Sequence, residues 1–216
     1  MGEVNLLDLY PRVKRDLDHR AAVSEENRRI ARQFGKEFFD GNRDQGYGGF
    51  KYDGRWVLIV KRMRNYYKLE ETASILDVGS GKGFMLHDFK LIMPKCTVAG
   101  IDISEYAVDQ TMEDVRPFCR VANCKDLPYE TKSFDLVISI NTVHNLKREE
   151  CKRAIQEIER VGKKHKFIVV DAYKDDDEKA RMFKWNLTAE TILHADQWKK
   201  LFEEAGYTGD YYWFTP

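Results

Sequence analysis

The segment Ile75-Leu-Asp-Val-Gly-Ser-Gly-Lys-Gly83 constrains the fold of this chain more than any other. Residues 74–78 read as a short buried strand, because apolar side chains dominate it and glycines end it. A helical pattern starts near Phe84, so the chain passes from strand to helix through three glycines spaced G-x-G-x-G. Glycine lets a backbone approach a ligand closely, and doubly wound sheets bind ligands at this end of the first strand. Two phosphate-binding loops are excluded by inspection. A Walker A loop needs glycine at 76 and Ser or Thr after Lys82, but Leu76 and Gly83 stand there. A dinucleotide fingerprint needs Gly or Ala at 84, where the chain has Phe84.

Further strands follow at Thr97–Asp102, Phe134–Ile140 and Lys166–Asp171, with a weaker one near Phe118–Ala122. The clearest helix between them is Arg148–Val161, with Ala154, Ile155, Ile158 and Val161 on one face. Strands alternating with helices predict a Rossmann-like α/β fold with a mostly parallel sheet. A helix around Asp196–Ala205 and a strand at Tyr207–Phe214 close the chain. Thr188–His194 either supplies one more strand or leaves the sheet a strand short.

Residues 1–54 are expected to form a helical cap or lid, and 55–216 the main domain. Pro11 can open a short helix, and Ser24 with Glu25 and Glu26 is a helix start. Ile30, Phe34, Phe38 and Phe39 recur at helical spacing until Gly41. The glycine-rich segment 46–54 is a loop, and a helical pattern resumes over Arg55–Tyr67.

At 216 residues the chain has room for one sizeable core. Its formal net charge of zero lacks the basic excess of a nucleic-acid-binding surface. Cys96, Cys119, Cys124 and Cys151 show no CxxC spacing, so no metal site and no disulfide framework is expected. With no signal-like or membrane-length apolar run, the sequence predicts a cytoplasmic protein, a monomer or homodimer with no membrane partner.

Asp102 closes the second strand, where one carboxylate can hold both hydroxyls of a ribose; the bland alternative is a cap for the next helix, a role that Ser104 fills better. Here the residues resemble a known family. Ile75–Gly83, Gly100-Ile-Asp-Ile-Ser104, Ala122-Asn-Cys-Lys-Asp-Leu-Pro-Tyr129 and Ser133-Phe-Asp-Leu-Val-Ile-Ser139 look like the successive motifs of class I S-adenosylmethionine-dependent methyltransferases. The resemblance covers about residues 55 to 173. It implies S-adenosylmethionine as cofactor and S-adenosylhomocysteine as product. It also implies that Asp77, Gly79, Gly81 and Gly83 surround the methionine part, that Asp102 binds the ribose, and that Ile103 flanks the adenine. Asn123 and Cys124 would meet the adenine edge, with Asn123 where the family often has Asp, and Asn141 would lie near the methionine end.

Methyl transfer to an alcohol or amine needs collinear alignment and a route for one proton. His144, just past the strand Phe134–Ile140, is the expected general base, although a loop histidine more often only hydrogen-bonds. Asp171, Tyr173 and His194 are weaker candidates. Tyr47, Tyr52 and Arg55 in the glycine-rich loop, together with Tyr173, are the expected acceptor-binding residues. Lys51, Lys61, Arg62 and Arg64 add charge that could anchor a phosphate or carboxylate, though for the last three a solvated helix face is the simpler reading. No Asn/Asp-Pro-Pro-Tyr follows the strand Phe134–Ile140, and no Pro-Cys nucleophile is present. The expected activity is methylation of a hydroxyl or amine on a small polar metabolite, such as a sugar or a phosphorylated or nucleotide-linked precursor. The alternatives are alkyl transfer, a protein or tRNA methyltransferase, and a silent cofactor-binding subunit.

Overall fold

Strands in a sheet covered on both faces must be apolar on both, and this chain's central strands are. In β1 (Ser74–Val78), Ile75 packs into one core, while Leu76 and Val78 pack into the other. The computed structural model describes residues 2–11 and 15–216.

Before β1 come α1 (Leu17–Ala21), α2 (Glu25–Ala31), α3 (Lys36–Asp40) and α4 (Val57–Tyr67). After it follow α5 (Phe84–Ile92), β2 (Thr97–Asp102), α6 (Glu105–Asp109), β3 (Cys119–Val121) and β4 (Phe134–Ile140). The chain continues with α7 (Arg148–Val161), β5 (Gly162–Tyr173), α8 (Asp176–Trp185), β6 (Leu193–His194), α9 (Ala195–Glu204) and β7 (Asp210–Phe214). The strands form one sheet in the order β3-β2-β1-β4-β5, and the far edge of β5 pairs with both β6 and β7. Each pairing among the described residues is parallel.

Helices α7 and α9 cover one face through Ile155, Ile158, Trp198 and Phe202. Helices α4 and α5 cover the other through Ile59, Met63, Leu86 and Phe89. Each such fully buried aliphatic side chain contributes about 1.5–3 kcal/mol, so both layers are held firmly. The strand order reverses between β1 and β4, and at that switch point an open sheet leaves a crevice beyond its carboxyl ends.

One expectation needs correction. The pattern from Ile30 to Phe39 is not one helix. Phe34 takes φ 51°, Gly35 caps a separate helix, α3, and Phe34 packs edge-on against Phe38. Of the two alternatives for Thr188–His194, the strand forms, but only over Leu193–His194, because β7 occupies most of the β5 edge. The short helix expected to open at Pro11 falls on residues outside the described ones; the next described helix, α1, is capped by Asp16. Ser24 caps α2 as expected, accepting from the Asn27 N–H.

Candidate functional site

Gly79, Gly81 and Gly83 all adopt positive φ, at 87°, 53° and 72°. A Cβ on Gly79 would lie 2.0 Å from the Thr142 hydroxyl, and one on Gly83 would lie 2.7 Å from Thr111. The turn is held by its neighbour strand. The Gly79 and Ser80 N–H groups both donate to the Ile101 carbonyl, at 2.8 and 2.9 Å. Asp102 accepts from the Gly81 N–H at 2.8 Å and from the Ser104 N–H at 2.9 Å. The cap of α6 is Ser104, which leaves the Asp102 carboxylate free to line the cavity.

That cavity, of about 1250 Å³, opens beyond β1 and β4. Asp77 lines it almost fully buried, and burial, followed by the nearby Asp102, pushes its carboxyl up to about 7. Asn141, at φ 52°, holds a buried Oδ1 with no hydrogen-bond partner. Ile103 is 51% exposed at the cavity wall, a suitable position beneath a flat ring. Cys124 and Asn123 lie on the same wall, and Asn123 Oδ1 also accepts from the Lys125 N–H at 3.1 Å.

The N-terminal segment covers this turn through one carboxylate that the sequence did not single out. Asp40 accepts from Lys82 Nζ at 2.5 Å, from the Tyr106 hydroxyl at 2.6 Å and from the Phe50 N–H at 3.1 Å. Lys82, inside the glycine motif, also donates to the Phe50 carbonyl. Phe50 stacks on Phe84, the first residue of α5. The glycine-rich loop is thereby tied to the turn it covers.

His144 sits in a 3₁₀ turn, Val143–Asn145, buried at the cavity wall. Its Nδ1 accepts the Asp171 N–H at 2.9 Å, and the Asp171 carboxylate lies 3.6 Å from the same nitrogen. Neutral imidazole carries one proton, so an accepting Nδ1 places that proton on Nε2. Burial holds the ring's pKa below its usual value, against the opposing pull of Asp171. Asp171 lines the cavity too, its carboxyl raised by burial and drawn back by His144 and Arg15.

Of the expected acceptor residues, Tyr47 and Arg55 line the cavity and Tyr52 and Tyr173 do not. Tyr52 is anchored to α5 by a 2.6 Å hydrogen bond to Asp88, and Tyr173 packs edge-on against His194. His194 is spent on capping α9. Arg55 is held by Asp53, at 2.6 Å, and by the Tyr10 hydroxyl. Arg62 pairs with Asp8 and Arg64 with Glu71, so the charges expected to anchor an anion are largely neutralised. Arginines that the sequence did not single out line the cavity instead, among them Arg15, Arg20 and Arg43.

A glycine turn at the switch point, a carboxylate closing the second strand and a covered cavity stand together at the carboxyl ends of a Rossmann-like sheet. Residues 76–170 match the model of a family described as a methyltransferase domain. The YcgJ protein of Bacillus subtilis is similar in structure, with TM-score 0.55 and 16% identity over 68% of this chain and 66% of that one. So is a complex of the Haloferax volcanii Trm112 methyltransferase activator with a methyltransferase, at TM-score 0.51 and 20% identity over 70% and 72%. At such identities the likeness is one of fold. A tRNA (carboxymethyluridine(34)-5-O)-methyltransferase of Arabidopsis thaliana is 31% identical over 126 residues, 57% of this chain. The match spans only 30% of the plant protein's length.

The residues present fit the cofactor that the family implies. A buried carboxylate with no offsetting cation and an orphaned amide oxygen suit the ammonium of its methionine part, and Asp102 suits its ribose. When bound, the cofactor supplies a methyl group on a sulfonium, already an electrophile. Asp102→Ala is expected to weaken S-adenosylhomocysteine binding by about 1.5–3 kcal/mol, the worth of hydrogen bonds to a charged group. Calorimetry on folded protein checks this; an unchanged affinity would reduce Asp102 to a brace for the turn.

Proposed function

We propose that this protein methylates a hydroxyl or amine of a small polar acceptor, with S-adenosylmethionine as donor. The observation that carries this reading is one continuous cavity. It runs from Asp77 and Asp102 to His144, Asp171 and the covering residues Tyr47 and Arg55. A covered site excludes water and holds acceptor and methyl in line, which is most of what this displacement needs.

In this reading His144 is a hydrogen-bond donor through Nε2, and the base's role passes to Asp171. The nitrogen that could take a proton is already engaged by the Asp171 N–H, whereas burial raises the Asp171 carboxyl and makes its carboxylate a stronger base than an ordinary one. Methylation of tRNA is the second reading, favoured by the plant relative alone. The neutral net charge favours a small acceptor over a polynucleotide.

Binding and transfer are tested separately. Calorimetry is expected to show saturable binding of S-adenosylhomocysteine and none of NAD. Incubation with methyl-labelled S-adenosylmethionine and panels of small hydroxyl and amine acceptors, or tRNA, should label a small molecule. Label in tRNA alone would establish the second reading. Cofactor binding with no transfer to either would identify a silent subunit.

A further inference from the structure

Guanidinium groups of like charge converge only where something negative is meant to join them, since each must otherwise bear its neighbours' repulsion. Arg15, Arg20 and Arg43 converge in this way on the indole of Trp185, with guanidinium carbons 5.5, 5.0 and 5.8 Å from the ring centre. They come from α1, its approach and the loop after α3, and Trp185 is the last residue of α8. No ion pair joins any of the three to a carboxylate among the described residues, in contrast to Arg55, Arg62 and Arg64. Of the nearby acids, Asp44 is engaged with His19, Asp18 with Lys184 and Asp16 with the α1 N-terminus, and Asp171 offsets part of this charge at Arg15.

Arg20 is the decisive member. It is 4% exposed, and its Nη1 is buried without a hydrogen-bond partner. A buried charged donor left unpaired is costly, and natural folds rarely keep one without a use. Burial first, then Arg43 and Arg28, bring its pKa down to about 10, so it remains charged at neutral pH and gains from any anion that arrives. Arg15, Arg20 and Arg43 line both the main cavity and an adjoining one of about 360 Å³, which they share with Tyr47, Phe50 and Trp185. Three guanidiniums suit the multiple oxygens of a phosphate, and aromatic faces suit a ring attached to it.

We infer that Arg15, Arg20 and Arg43, around Trp185, form a phosphate-binding subsite, and that the methyl acceptor is a small phosphorylated metabolite carrying a ring. This rests on the proposed small-acceptor methyltransferase reading, but the subsite can be tested without turnover. Calorimetric titration with inorganic phosphate, and with glucose 6-phosphate against glucose, is the experiment. S-adenosylhomocysteine binding is measured on the same samples. Wild-type protein is expected to bind both phosphates saturably and glucose not at all. Arg20→Gln and Arg43→Gln should each weaken phosphate binding about tenfold or more, the loss of one charge-assisted contact. Arg64→Gln, whose charge is paired with Glu71, should leave it unchanged. If Arg20→Gln does not fold, the exposed Arg43 decides the matter. Equal phosphate affinity in all variants, no saturable binding, or saturation by tRNA but not by glucose 6-phosphate would overturn the inference. Phosphate binding without S-adenosylhomocysteine binding would instead sink the methyltransferase reading and leave the subsite standing.

Discussion

Asp77→Asn is expected to make the cofactor-free protein more stable at alkaline pH while weakening its hold on S-adenosylmethionine. Burial and the neighbouring Asp102 raise the Asp77 carboxyl to about 7. Between about pH 4 and 7 the folded protein therefore keeps a proton that the unfolded chain has lost, and stability falls as pH rises through that window. Asparagine has no proton to lose. The two proteins should match at about pH 4 and diverge above it, reaching a gap on the order of 2–4 kcal/mol by about pH 8. For a chain of this size that is about 5–10 °C in melting temperature. A cationic ligand reverses the ledger, because it stabilises the carboxylate that burial disfavours. Wild-type affinity for S-adenosylmethionine should therefore fall as pH drops through about 7, where binding must expel the proton. The variant should bind about tenfold or more weakly at alkaline pH and show little pH dependence. Melting curves and calorimetry across the pH range read both effects. A stability gap that does not change with pH would show that Asp77 bears no buried charge.

The parts of this fold that were legible in the sequence are those whose signals are local. Phe134–Ile140 and Arg148–Val161 match their predicted bounds, because a continuous apolar strand and an apolar stripe at helical spacing each carry their own punctuation. The glycine turn was legible because positive φ at Gly79, Gly81 and Gly83 is a demand only glycine meets without strain. Of the loop tyrosines, Tyr47 reached the cavity and Tyr52 did not, and nothing in the sequence separates them. Which one turns inward depends on the distant Asp88, which captures Tyr52. The same holds for charge. Arg55 and Arg43 look alike in the sequence, but Asp53 sits two residues from Arg55, while Arg43 faces Arg20 and Trp185 from elements far along the chain. Helix α8 went unread because only Met182 of its residues is fully buried, leaving no apolar stripe to detect. Asp40 carried no local signal at all. Its partners Lys82 and Tyr106 are 42 and 66 residues away.

The histidine at the cavity wall separates two chemistries that the sequence could not. If His144 donates a hydrogen bond from Nε2, His144→Ala should lower turnover by about 10²-fold, the usual cost of losing one well-placed donor. His144→Gln keeps an N–H donor and no titratable nitrogen, so it should recover much of that loss. A general base would give the opposite pattern, with Gln as inactive as Ala and an ionisation near neutrality missing from both profiles. Burial holds the ring's pKa below 6.5, and its protonation would set an N–H against the Asp171 N–H at 2.9 Å. As pH falls below about 6.5, the unfolded chain therefore gains a proton that the folded chain refuses, and stability falls on the acid side. His144→Gln should lessen that acid loss while keeping activity, a pairing that a purely structural residue would not show. The acceptor's proton then goes to Asp171, so Asp171→Asn should cut turnover by about 10²–10⁴ with little change in cofactor affinity. It should also erase the acidic limb of the wild-type pH–rate profile. Full activity in Asp171→Asn alongside an inactive His144→Gln would return the base's role to the histidine.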